Sequence, residues 1–85
     1  MRYKISLARD AEKYLKKIRN GKEKDKILIA LKALEDEPFL GKKLKGMYQD
    51  YYSLRVWPYR IVYEIRNKKL VVFVIAIGQR EGIYK

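Results

Sequence analysis

The residues that could do chemistry are gathered in the second half of the chain. In "SLRVWPYRIVY" (53–63), two alternating apolar runs flank Trp57-Pro58, the pattern of a β-hairpin. Folding back symmetrically about that turn sets Val56 against Tyr59, Arg55 against Arg60 and Leu54 against Ile61. Two arginines then face each other on one side of the sheet, a destabilising position for like charges. An anion between or above them would offset the repulsion. Each guanidinium is permanently charged, and its planar donors fit phosphate oxygens two at a time. The alternative is that Glu64, or a carboxylate on another element, neutralises one of the two.

Two more stretches add cations. "GKKLKG" (41–46) sets Lys42, Lys43 and Lys45 between glycines, with Leu44 as an anchor, and such a loop can follow a phosphodiester backbone. A lysine there can also act as a base if neighbouring cations lower its pKa from about 10.4. Taken alone, such basic loops are common and usually just solvated. "GQREGIYK" (78–85) leaves an apolar strand through Gly78, presents Arg80 and finishes with Tyr84. That tyrosine is either a packing plug or, beside arginines, a ring that stacks on a base or handles a proton.

Composition narrows the chemistry further. The 85 residues suffice for one domain, 1–85, and 48% of them are hydrophobic, as in a folded globular protein. There is no cysteine and no histidine, so thiol nucleophiles, thiolate metal sites and imidazole bases are all excluded. Carboxylates are sparse and lie mostly in the first half, which argues against a metal centre. The net charge is +11, and it is uneven. Residues 1–37 carry 11 Lys and Arg against 7 Asp and Glu, whereas residues 38–85 carry 10 against 3. The second half therefore has a mostly unopposed positive field, suited to a surface that meets phosphates, although solubility alone also favours such charge. The apolar run "LVVFVIAIG" (70–78) is too short to span a bilayer as a helix, and no signal peptide is visible. The expected location is the cytoplasm.

These residues need a scaffold, and the periodicity supplies one. "MRYKISL" alternates as a short strand. Leu7, Ala11, Tyr14, Leu15 and Ile18 form one face of a helix that Asn20-Gly21 is expected to stop. A second helix over 22–38 turns Ile27, Leu28, Leu31 and Leu34 inward and ends at Pro38. Strands follow over about 51–56, 59–66 and 69–77, the last apolar on both faces as an interior strand should be. The expected fold is α+β, in the order β-α-α-β-β-β: a small antiparallel sheet with a helix hairpin on one face.

The block "KKLKGMYQDYYSLRVWPYRIVYEI" and the ending "LVVFVIAIGQREGIYK" together resemble the RelE/ParE superfamily of bacterial and archaeal toxins. The likeness runs essentially end to end. The K-L-x-G block with Y-x-L-R-x-x-x-Y-R-I-x-Y is shared across the superfamily. The ending G-x-R-x-x-x-Y is closer to RelE-like ribonucleases than to gyrase-poisoning ParE proteins.

The resemblance implies the fold just described and an activity, ribosome-dependent cleavage of mRNA in the A site by a type II toxin without metal or cofactor. In that reaction the RNA's own 2′-hydroxyl attacks the adjacent phosphate. Carried over by position, Arg60 contacts the scissile phosphate and Arg80 stabilises the transition state or the leaving group. Tyr84 stacks on or orients the nucleotide, and Lys45 is the basic position before the glycine. Beside these, Arg55, Lys42 and Lys43 are the RNA- or phosphate-binding cations expected from the residues themselves, Arg55 either binding RNA or only bracing the sheet. The resemblance also implies a RelB-like antitoxin, the ribosome and mRNA as partners, contact with operator DNA only through the antitoxin complex, and no membrane.

The chain departs from the family pattern at the proton acceptor. Better-known RelE-like enzymes carry lysines in the strand that here reads "YYSLR", and others carry histidine where this chain has Gln79. The base is then Lys45, Lys43 or Tyr84. The alternatives are a ParE-like gyrase inhibitor and a catalytically weak or inactive RNA-binding relative.

Overall fold

The computed structural model describes residues 2–44 and 51–79. A first strand, β1 (Lys4–Leu7), leads through Ala8 into α1 (Arg9–Lys17). That helix buries Ala11 and Leu15 and carries Asp10 and Glu12 in its first turn, Lys16 and Lys17 in its last. Charge thus complements the helix dipole at both ends. Asn20-Gly21, expected as the stop of this helix, opens the next one instead. α1 ends at Lys17, and the Asn20 side chain accepts hydrogen bonds from the backbone N–H groups of Lys22 (3.0 Å) and Glu23 (3.1 Å). It is the N-cap of α2 (Gly21–Asp36), a role worth about 1 kcal/mol.

α2 buries Ile27, Leu31 and Leu34, one per turn. Leu28, expected inward, is 45% exposed. It sits one residue, about 100°, from the Ile27–Leu31–Leu34 line, and the sheet claims only that narrow stripe.

The remaining strands are β2 (Lys42–Lys43), β3 (Tyr51–Val56), β4 (Tyr59–Arg66) and β5 (Val71–Gln79). They join β1 in a sheet of order β1-β5-β4-β3-β2. The α+β class and the helix hairpin on one face are as expected. Two details differ. β1 runs parallel to β5, with Lys4 N–H donating to Leu70 O (2.8 Å) and Ala8 N–H to Val74 O (2.9 Å). The sheet is therefore mixed, not wholly antiparallel. Part of the expected basic loop is also a strand, β2, which extends the sheet beyond β3.

The core lies between the helices and one face of the sheet. Ala11, Leu15, Ile27, Leu31 and Leu34 pack with Tyr59, Ile61, Tyr63, Val72, Val74 and Ile77. Each large side chain buried there contributes roughly 1.5–3 kcal/mol. A bulge keeps β4 and β5 facing this core: Val62 opposes Ala76 and Tyr63 opposes Val74, so Ile75 is skipped. Among the described residues, no helix is long and apolar enough to cross a membrane.

Candidate functional site

The β3–β4 ladder has the register that its alternation predicts. Val56 opposes Tyr59, Arg55 opposes Arg60, Leu54 opposes Ile61, and Tyr51 opposes Glu64. Tyr59, Ile61 and Tyr63 enter the core, with Tyr52, Leu54 and Val56 packed against it. Strand alternation then points Arg55 and Arg60 away from the helices.

Cross-strand register orders that second face into rows. One row reads Lys42, Ser53, Val62, Ala76 and the next Arg55, Arg60, Gly78. Lys42 is thus directly opposite Ser53, Arg55 is two residues along the same strand, and Arg60 lies on the diagonal. Gly78 adds no side chain beside Arg60, which leaves room in that row. A third row holds Tyr51, Glu64 and Phe73. There Glu64 accepts a 2.6 Å hydrogen bond from Arg66 Nε, and the Arg66 guanidinium stands 4.5 Å from the centre of the Phe73 ring. Glu64 is thus engaged with Arg66. Arg55 is exposed, and among the described residues no carboxylate bonds to it.

Lys42, Lys43, Ser53, Arg55 and Arg60 line a cleft of about 700 Å³, with Leu40, Gly41, Leu44 and Leu54 completing its wall. The segment that brings β2 to this cleft is fixed by one phenol. Tyr63, fully buried, donates to Pro38 O (2.9 Å) and accepts from Gly41 N–H (2.9 Å). Burial is the main cause that raises the Tyr63 pKa above its usual value, partly opposed by the Gly41 N–H. The approach is so close that a Cβ on Gly41 would lie 2.7 Å from Tyr63 Oη and 2.9 Å from Ser53 O. Gly41 is therefore a packing requirement, where the sequence suggests only loop punctuation.

Tyr59 ties the hairpin to the helices. Its hydroxyl donates to Glu23 Oε1 (2.8 Å), and its ring meets Tyr14 edge-on at 6.2 Å. The bond to Glu23, followed by burial, pushes the Tyr59 pKa up to about 12. Tyr59 is thus a neutral structural donor on the core side, away from the cleft.

Of the expected site residues, the structure brings Arg55, Arg60, Lys42 and Lys43 to one cleft. Lys45, Arg80 and Tyr84 lie outside the described residues. Two participants were not singled out from the sequence. Ser53 is only 8% exposed at the middle of the cationic face, and Tyr63 positions the Gly41–Lys43 segment. The alternation already put Ser53 in line with Arg55, but its burial depends on neighbours distant in sequence. Among the described residues, no group of three or more acidic side chains is placed to hold a metal ion. What the cleft offers is permanent positive charge, two lysines and one hydroxyl. Such a set is chemically suited to holding a phosphate and stabilising extra negative charge on it.

Known proteins share this fold. The model of the family described as ParE toxin of type II toxin-antitoxin system, parDE, matches residues 5–84. The mRNA interferase toxin RelE of Escherichia coli is 42% identical over 52 residues, 60% of this chain and 55% of that protein. The chain thus matches about half the length of that relative. The crystal structure of the isolated E. coli RelE toxin superposes with a TM-score of 0.81 at 28% identity, covering 96% of this chain and 88% of that one. The toxin in the crystal structure of the intact E. coli RelBE toxin–antitoxin complex gives 0.78 at 31% identity, covering 93% and 98%.

Proposed function

Since the chain belongs to the RelE/ParE family of type II toxin–antitoxin toxins, we propose that it is an endoribonuclease that cleaves mRNA in the ribosomal A site. The observation that carries this reading is the Arg55–Arg60 pair, held opposed across β3–β4 at the wall of a cationic cleft. Its likeness to a relative named as an mRNA interferase supports the same reading.

The chemistry asked of the cleft is charge stabilisation. Attack of a 2′-hydroxyl on the adjacent phosphate breaks the bond to the 5′-oxygen and leaves a 2′,3′-cyclic phosphate. The 2′-proton must leave, the pentacoordinate phosphorus gathers negative charge, and the departing 5′-oxygen takes a proton. Arg60 holds the scissile phosphate, while Arg55, Lys42 and Lys43 bind the flanking backbone. Arg80 and Tyr84 act at the leaving group and the base, and Lys45 or Lys43 accepts the 2′-proton. No metal or cofactor enters this scheme. A RelB-like antitoxin restrains the toxin, by analogy with the RelBE complex.

Primer extension on mRNA in programmed ribosomes tests the reading. Cuts at A-site codons that fade about a hundredfold in Arg60→Ala support it, as expected for loss of a transition-state cation. Folded protein that leaves ribosome-bound mRNA intact would overturn it.

A second reading, a ParE-like gyrase inhibitor, draws on the description of the matched family and on Tyr51 and Ser53 standing on the strand where a base is usual. It predicts untouched ribosomal mRNA and accumulated gyrase–DNA cleavage complexes.

A further inference from the structure

Ser53 is the anomaly of the cationic face. Its Oγ is buried, and it has no hydrogen-bond partner among the described residues. A hydroxyl taken from water and left unbonded destabilises a fold, so buried polar atoms are nearly always satisfied. This one lines the cleft, with Lys42 directly opposite and Arg55 and Arg60 one row away. An alanine would fill the same position without that cost.

We infer that Ser53 is a substrate-binding residue whose hydroxyl donates to a non-bridging oxygen of an RNA phosphodiester drawn in by the three surrounding cations. This inference rests on the nucleic-acid reading above and assigns a residue which that reading leaves idle. The group suits the task. A hydroxyl donates along a fixed direction and adds no charge to an already crowded cationic site. It also contributes most when its acceptor is anionic. Arg55, Lys42 and Lys43 are exposed, with long flexible side chains, and so can move aside as the phosphate settles.

The inference has an unusual signature, opposite signs for stability and binding. Removing an unbonded buried hydroxyl raises the thermal midpoint of the free protein, by about 4 °C. The same change weakens RNA binding about tenfold, because the donor to a charged acceptor is gone. A purely structural role for Ser53 gives the reverse, lower stability with unchanged affinity.

The test is a titration of the full chain with a short RNA oligonucleotide carrying 2′-deoxy substitutions, so that no cut occurs. Binding is followed by the fluorescence of Trp57, the one tryptophan, which stands at the hairpin turn beside the arginine pair. Ser53→Ala is expected to melt higher and bind about tenfold more weakly, and Ser53→Thr, which keeps a hydroxyl, to bind within about threefold of the parent. Inorganic phosphate should compete with the oligonucleotide in the parent and less effectively in Ser53→Ala. Equal affinity for parent and Ser53→Ala overturns the inference, as does a parent that binds neither probe. Ser53-dependent binding in a protein that spares ribosomal mRNA would uphold the phosphate site while overturning the ribonuclease reading. The two therefore fail separately.

Discussion

Arg55 and Arg60 stand directly opposite each other across β3–β4, one pair in from the Trp57-Pro58 turn. Glu64, the acidic side chain four pairs further along the ladder, is bonded to Arg66. Like charges opposed in this way cost a few tenths of a kcal/mol up to about 1 kcal/mol. The exposed member is the one that can be exchanged with least disturbance of packing. Arg55→Gln should therefore raise the urea midpoint, by the equivalent of about 0.5 kcal/mol, and the gain should shrink as salt screens the pair. RNA affinity should fall at the same time. A variant that is less stable at low salt would mean that the pair is already compensated within the folded protein.

Gly41 and Tyr63 form a coupled pair on the other side of the cleft wall. Gly41→Ala forces a Cβ against Tyr63 Oη and Ser53 O, and should cost about 1–3 kcal/mol. Tyr63→Phe deprives Pro38 O of its donor and Gly41 N–H of its acceptor, with a similar cost. The double variant removes the clash with the hydroxyl but keeps the one with the Ser53 backbone. Its loss should be smaller than the sum of the two single losses. Chemical denaturation of all four proteins closes the cycle, and strict additivity would show that the contact is not what makes Gly41 necessary.

How far the sequence could be read follows from how local each feature is. The β3–β4 register depends on alternation and a turn only two residues long, so the opposed arginines are legible in eleven residues. The helix hairpin is equally local. The parallel pairing of β1 with β5 joins segments 67 residues apart, Lys4 with Val71, and nothing in "YKISL" encodes its direction. Asn20 suits both the end of one helix and the start of the next, and only the position where α1 actually stops, Lys17, decides between them. Ser53 reads as one more polar residue on an alternating strand. Its burial comes from the row that Lys42 and Val62 make with it, which needs β2 to be a strand at all.

Tyr59 gives the protein an alkaline limit. Its pKa rises from the ordinary 10.0 to about 12, chiefly through its bond to Glu23. The folded state thus favours the neutral phenol. The stabilisation is complete below pH 10 and is lost as pH climbs through about 12, where the phenolate forms beside a carboxylate. Tyr63, shifted in the same direction by burial, adds to the loss. Urea midpoints measured from pH 9 upward should fall more steeply in the parent than in Tyr59→Phe, since lysine titration is common to both. Parallel curves for the two proteins would remove Tyr59 from the account.

The cleft's described residues also predict how the proposed cleavage could be accelerated. Its cations can hold and neutralise a phosphate, yet its central hydroxyl is a poor base. A lysine at position 53 would sit among Lys42, Arg55 and Arg60, in a place where serine is only 8% exposed. Burial and three cationic neighbours both push an amine's pKa down from about 10.4, towards the range where it accepts a proton at neutral pH. Ser53→Lys should therefore accelerate ribosome-dependent cleavage, by about a hundredfold for a well-placed general base. Its pH–rate profile should level off near neutrality, where the parent's continues to rise. Ser53→Arg is the control: similar in reach and charge, it binds phosphate but cannot take a proton, and should give no such acceleration. Equal rates for the lysine and arginine variants would show that charge alone limits the reaction, and that proton acceptance by Lys45 or Lys43 is not what slows the parent.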